Sequence, residues 1–239
     1  MNLDGIKRVM IFAAHPDDEI IGPGGTAHMM SCRGAEVDVV SFTCGGTAAK
    51  NEEETEKMIC MRRAEMKEAD QHLGVTRRHL LELPSQQLYG AAFGDNSLHR
   101  RLIGLLRRYK PQLLLSHSGD NHRDHDTINR VTPQVVFQAQ ESIMGELGEP
   151  WRIPLVLYFG IELDPQAENV IIEISAADLE AKLKAIRSQL TQARDTYLQR
   201  IEDMIEAKAA LAGSRNFGAG RFAETFYLDA SAPMRFPMA

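Results

Sequence analysis

Two short polar stretches hold most of the residues that could do chemistry. His15-Pro16-Asp17-Asp18-Glu19 places one imidazole and three carboxylates within five residues. His117-Ser118-Gly119-Asp120-Asn121-His122-Arg123-Asp124-His125-Asp126 adds three imidazoles and three carboxylates. Carboxylates this dense are costly to desolvate unless a cation sits among them, and a divalent metal is the simplest cation. A catalytic zinc takes three protein groups and keeps one position for water. His15 and Asp18 are spaced to share one side of a turn or helix start, and either His122 or His125 completes a His-His-carboxylate set. Such a set makes bound water more acidic and polarises a carbonyl. Asp17 or Glu19 is then left as general base, and Asp124, lying between two histidines, could orient one of them as an acceptor.

The elements around these stretches must bring them together. Each follows an apolar run, Val9 to Ala14 for the first and Gln112 to Ser116, opened by Pro111, for the second. Both read as buried strands, since a strand covered on both faces of a parallel sheet is apolar throughout. After Gly22-Pro23-Gly24-Gly25 the pattern predicts a helix from Thr26 to Arg33 and a strand from Glu36 to Phe42. That is a βαβ unit, which sets the class as α/β with a mostly parallel central sheet. Further helices are expected over Glu52 to Leu73, stopped by Gly74, over Ser97 to Tyr109, and over Thr127 to Ser142. Strands are expected over His79 to Leu83, Leu155 to Phe159 and Val170 to Ile174. Ser175 caps a helical stretch with a break near Thr191 and an end at Gly213, and Arg221 to Tyr227 closes the chain as an extended segment. Thr43 to Ala48 reads as a flexible loop. In open parallel sheets ligands bind at the carboxyl ends of strands, so the two polar stretches converge if the first and fourth strands are neighbours.

Composition narrows the function classes. The chain has 239 residues, is 44% apolar and 25% charged, and carries a net charge of −6 without a long run of either sign. It reads as one domain over 1–239, with no electrostatic footprint for nucleic acid or an anionic membrane. No apolar stretch approaches a membrane span. Cys32, Cys44 and Cys60 form neither a disulfide framework nor a cysteine zinc site. With no signal-peptide pattern at the start, a cytoplasmic protein is expected. The glycine-rich stretches Gly22 to Gly25 and Gly45-Gly46 fit neither GxGxxG nor a P-loop, so a nucleotide cofactor is the weaker reading. His28, His72, His79 and His99 read as surface or packed side chains, and His117 as an outer partner of the site or a strand-end packing residue.

Ala14-His15-Pro16-Asp17-Asp18-Glu19 resembles the signature of the LmbE-like, or PIG-L, family of zinc-dependent N-acetylglucosaminyl deacetylases, and His122-Arg123-Asp124-His125 is similar to that family's His-x-Asp-His motif. Weaker likenesses are Arg62-Arg63-Ala64-Glu65 to an Arg-x-x-Glu helix, Ser188-Gln189 to a Ser-Gln segment, and Ala223-Glu224-Thr225-Phe226 to a closing Ala-Glu-x-Phe segment. The resemblance implies a Rossmann-like three-layer sandwich with the site at the carboxyl ends of the strands, and in some relatives a homo-oligomer. It implies zinc, or another divalent metal such as Fe2+, on His15, Asp18 and His125. It gives Asp17 the role of general base and then acid, His122 that of oxyanion stabiliser as an imidazolium, and Asp124 that of holding a neighbouring histidine. Glu19 supports the loop, and Arg62 lies near the site mouth, where it could bind sugar hydroxyls. The implied reaction removes acetyl from a small N-acetylated amino sugar or its conjugate. The alternatives are another amide of the same mechanism, such as a thiol conjugate or an acylated antibiotic intermediate, or a sugar- or metal-binding module without turnover. Arg123 stands where many relatives have Pro, and Thr43-Cys44-Gly45-Gly46 lacks their common acidic residue.

Overall fold

A computed structural model describes residues 3–45, 51–94, 96–161, 168–192 and 196–229, so Gly46 to Ala48 of the expected flexible loop lie outside the described residues. In chain order the elements are β1 (Arg8–Ala13), α1 (Asp18–Ile21), α2 (Gly24–Cys32), β2 (Glu36–Thr43), α3 (Glu52–Leu73), β3 (Arg77–Leu83), α4 (Leu88–Phe93), α5 (Ser97–Tyr109), β4 (Leu113–His117), α6 (Arg123–Gln140), β5 (Leu155–Phe159), β6 (Val170–Ile174), α7 (Ala176–Arg187), α8 (Tyr197–Phe217) and β7 (Phe222–Phe226). Five parallel strands form the central sheet in the order β3-β2-β1-β4-β5. β1 and β4 are therefore neighbours on either side of the switch point, with Val9 opposite Leu113 and Ile11 opposite Leu115. β6 stays outside this sheet and pairs with β7 in a small antiparallel one.

Alternation along β1 explains the layers. Val9, Ile11 and Ala13 face one core together with Ala27, Met29 and Met30 of α2 and with β6 and β7. Met10, Phe12 and Ala14 face the other, under α4, α5 and α6. Side chains of successive strand residues point to opposite faces, so a strand covered on both sides must be apolar throughout. A third core joins the ends of α3, α7 and α8 through Ala69, Leu73, Leu183, Ile186, Ile205 and Ala209.

Local chemistry sets most boundaries. The Asn51 side chain accepts the Glu54 N–H at the start of α3, and Gly74 closes that helix with φ 67°. Ser175 and Asp178 form a reciprocal capping box on α7. Several elements differ from the sequence reading, α4 among them, which the pattern did not predict. α1 is a helical turn within the first polar loop, and α6 begins at Arg123 rather than Thr127. Gly213 lies inside α8 instead of ending it, because a Cβ there would collide with the Arg221 carbonyl where β7 crosses the helix.

Candidate active site

The end of β1 and the end of β4 deliver their polar residues to one place. Asp18 begins α1, and its Oδ2 accepts the His15 backbone N–H at 2.8 Å. The same oxygen lies 3.4 Å from His15 Nδ1 and 3.5 Å from His125 Nε2. His125 arrives in the first turn of α6, and the His122 ring caps that helix by accepting the Asp124 N–H at 3.2 Å.

His117 Nε2 also lies 3.4 Å from Asp18 Oδ2, but it is His15 and His125 that carry a carboxylate on their far nitrogen. Asp124 Oδ2 is 3.1 Å from His15 Nε2, and Asp120 Oδ2 is 2.8 Å from His125 Nδ1. This is the arrangement by which outer carboxylates fix the tautomer and ring orientation of metal-binding histidines. It corrects the sequence expectation for Asp124, which serves His15 from the other loop and not a histidine beside it in sequence. It also adds Asp120, which the sequence reading left without a role. The signal was its place five residues before His125, but nothing in the spacing separates it from Asp126.

The donor set fits a divalent metal. His125 Nε2 is buried and has no hydrogen-bond partner among the described residues, which a buried polar atom rarely tolerates. His15, His122 and His125 form one group of candidate ligand atoms, and Asp18, His117 and His125 form another, with His125 common to both. Two histidines are already engaged. His117 Nε2 accepts the Ala14 N–H at 3.1 Å, and His122 Nδ1 accepts from Asp124. His15 Nδ1, His125 Nε2 and His117 Nε2 all lie within 3.5 Å of Asp18 Oδ2.

Electrostatics follow from this crowding. Burial opposes charge on His15 and His125, but hydrogen bonds and attraction from Asp124, Asp18 and Asp120 outweigh it and raise them to about 9 and about 10. Burial likewise opposes charge on Asp18, yet the surrounding imidazoles hold it well below the carboxylate range. His117, desolvated, is pushed down to about 3. Burial raises Asp17 to about 7, against the pull of the Arg62 guanidinium. Burial and the neighbouring His15 and His125 push His122 below its ordinary value, and its Nε2 lies 2.8 Å from the Gln86 amide nitrogen. The downward direction runs against the imidazolium expected from the sequence.

Asp17 occupies a strained backbone conformation, φ 132°, and its neighbours enforce it. Glu19 Oε2 accepts the Asp17 N–H at 3.2 Å, while Glu19 Oε1 receives Arg78 Nη2 at 2.7 Å. The support expected of Glu19 thus takes the form of a buried pair with Arg78, which also reaches Asp70 and Ser41. Arg62 Nη2 donates to Asp17 Oδ2 at 3.1 Å and also to the Pro16 carbonyl. Arg62 lines the cavity but is buried and committed to this loop, which corrects its expected position at the mouth with sugar hydroxyls. Gly45, at φ +64°, lets the guanidinium pack on its backbone, since a Cβ would lie 2.7 Å from Nη1. Arg123 is exposed at the first position of α6.

The cavity over these groups measures about 530 Å³. His15, Asp17, Asp18, His122 and His125 line it, together with Ile161, Tyr197, Ile201 and Met204.

Known proteins resemble this chain in sequence and in fold. The chain is 28% identical over 190 residues to a 1D-myo-inositol 2-acetamido-2-deoxy-alpha-D-glucopyranoside deacetylase from Segniliparus rotundus, an alignment covering 67% of this chain and 60% of that protein. The chain thus spans under two thirds of that relative's length. Its fold matches the N,N'-diacetylchitobiose deacetylase of Pyrococcus horikoshii with a TM-score of 0.81 at 24% identity, covering 94% of this chain and 84% of the other. It also matches GalB, the 4-carboxy-2-hydroxymuconate hydratase of Pseudomonas putida KT2440, with a TM-score of 0.80 at 18% identity, covering 98% and 100%. One fold therefore hosts different reactions, and the residues of the site must carry the functional argument. Residues 10–136, more than half of the chain and the part that contains both polar loops, match the family described as PIG-L, GlcNAc-PI de-N-acetylase, and the chain belongs to that family.

Proposed function

We propose that the protein is a cytoplasmic, zinc-dependent hydrolase that removes the acetyl group from an N-acetylated amino sugar or amino-sugar conjugate. The observation that carries this reading is the convergence of His15 and His125, each backed by a carboxylate, on Asp18 Oδ2, with the Asp17 carboxyl in the same cavity. A divalent ion held by His15, Asp18 and His125 would supply a Lewis acid for the acetamide carbonyl and lower the pKa of water.

The chain's own residues supply the rest. Asp17 takes a proton from the attacking water and returns it to the departing nitrogen; a carboxyl near neutrality suits both tasks. The C–N bond breaks, giving acetate and a free amine. The His122 ring lines the same cavity and would stabilise the oxygen on which negative charge develops. Asp124 and Asp120 keep His15 and His125 in register, and Arg62 and Glu19 keep Asp17 in its strained pose. Among the described residues no helix is long and apolar enough to cross a membrane, which is consistent with a small, water-borne substrate.

The test is a panel of N-acetylated amino sugars incubated with zinc-loaded protein, with acetate and primary amine quantified together. Equimolar release from at least one member is expected. Release of neither from any member, with one zinc bound per chain, would contradict the reading.

A further inference from the structure

A third strand end reaches the site. The loop over residues 84–87 joins β3 to α4, and Gln86 of that loop touches the second polar loop twice. Its backbone N–H donates to Asp124 Oδ2 at 2.7 Å, the oxygen that also holds His15 Nε2. Its side-chain amide nitrogen lies 2.8 Å from His122 Nε2. Gln86 has φ 65°, in the left-handed region where glycine is favoured. A glycine would make the same backbone bond to Asp124 without strain, and Gln86 is exposed, so packing does not call for its side chain. The contact with His122 is what that side chain adds.

Both nitrogens of the His122 ring are engaged. Nδ1 accepts the Asp124 N–H, a bond fixed by the first turn of α6, and Nε2 faces Gln86. Each ring nitrogen offers one hydrogen-bonding position in the ring plane. An acyl oxygen can therefore bond to the ring only at Nε2, in the place of the Gln86 amide. Gln86 lines the same cavity as His15, Asp17, Asp18 and His125, and its carboxamide has the carbonyl-and-nitrogen group of an acetamide. We propose that the Gln86 carboxamide is an internal stand-in for the substrate: between turnovers it occupies the acyl-oxygen position on His122, and the acetamide of an N-acetylated sugar displaces it. The inference rests on the amino-sugar reading of the same site. Gln86 thereby sets how tightly an acyl group is held, and its return to His122 favours the release of acetate.

Calorimetry on zinc-loaded Asp17→Asn protein, which leaves ligands intact, measures the displacement. N-acetylglucosamine is the probe, and glucosamine, which has no acyl oxygen, is the control. Gln86→Gly keeps the backbone bond to Asp124 and suits the positive φ. Gln86→Asn also tolerates that φ and keeps a carboxamide, one methylene too short to reach the ring. Breaking one neutral hydrogen bond costs a ligand about fivefold in affinity, so both substitutions should tighten N-acetylglucosamine by about that factor and leave glucosamine unchanged. In a His122→Ala background neither should have any effect. Weaker or unchanged N-acetylglucosamine binding, equal tightening of glucosamine, or tightening that survives His122→Ala would overturn the inference. Nitrogen-15 NMR of the His122 ring reads the contact without ligand or turnover: Gln86→Gly should shift the Nε2 resonance, and an unmoved resonance would also overturn it. Wild-type protein that hydrolyses no N-acetylated sugar, while the shift and the tightening persist, would remove the hydrolase reading and leave the Gln86 contact standing.

Discussion

At the scale of single residues, Asp17 is the most constrained position in the site. A non-glycine residue at φ 132° costs about 1–3 kcal/mol, and persists only where its surroundings over-determine it. Here Glu19 takes its N–H and Arg62 takes its carboxylate. Arg62 is also the positive group that restrains the rise of Asp17, whose pKa stands at about 7. Removing that charge must raise the pKa further, so more acid form is present at any given pH. For Arg62→Met we predict that the acid limb of the kcat/KM profile moves to higher pH, with at least a tenfold loss at pH 6 and a smaller loss at pH 8; an unmoved limb would separate Arg62 from the base. The sequence shows the His-Pro-Asp-Asp-Glu loop and the His-x-Asp-His motif directly, because their residue types suit few other tasks. Which carboxylate holds which histidine is not legible there. Asp124 pairs across the sheet with His15, and Asp120 folds back on His125, and both choices are made by tertiary approach.

At the scale of elements, the site depends on helix termini. His122, an unusual N-cap, starts α6 four residues earlier than the apolar pattern suggests, and this places Asp124 and His125 in the first helical turn with fixed directions. The far end of α6 is secured by Arg107 of α5, which is fully buried and donates to the carbonyls of Gln138, Ala139, Glu141, Met144 and Gly148. Removing it leaves several helix-end carbonyls without partners in an apolar setting. Arg107→Met should therefore destabilise the fold by roughly 3 kcal/mol or more, read as a lowered midpoint in urea. A loss below about 1 kcal/mol would mean that water replaces the guanidinium at that helix end. α5 itself was legible from its leucine face, but a basic residue on a helix usually reads as solvated, so this role was hidden. The last elements also brace the first loop: Glu224 of β7 accepts the N–H groups of Gly25 and Thr26 at the start of α2, and Lys182 of α7 bridges Glu224 and the Gly22 carbonyl. The closing Ala-Glu-x-Phe likeness thus acquires a physical reason, an anionic cap on the helix that follows the first polar loop.

For the molecule as a whole, apolar strands alternating with helices made the α/β class legible, whereas the convergence of both loops hung on β1 and β4 being neighbours, a condition the sheet order meets. The assignment of β6 to a separate sheet could not be read from the pattern, since Val170 to Ile174 looks like any buried strand and its partner β7 lies far along the chain. Charge in the site couples to stability and metal uptake. His15 and His125 are raised from 6.5 to about 9 and about 10, so in the metal-free protein they add stability that is complete below pH 6.5 and is lost as pH climbs through 9 to 10. A metal must displace those protons. At pH 7 zinc binding should release up to two protons per chain and tighten with rising pH toward 9, as calorimetry in buffers of different ionisation enthalpy can measure; binding without proton release would contradict the charge states of the site. The most direct test of the central claim pairs metal content with turnover in Asp17→Asn. If His15, Asp18 and His125 hold the ion and Asp17 moves the proton, the variant keeps one zinc per chain and loses acetate release by at least a thousandfold. A zinc-loaded variant with wild-type turnover, or one that no longer binds zinc, would contradict that division of roles.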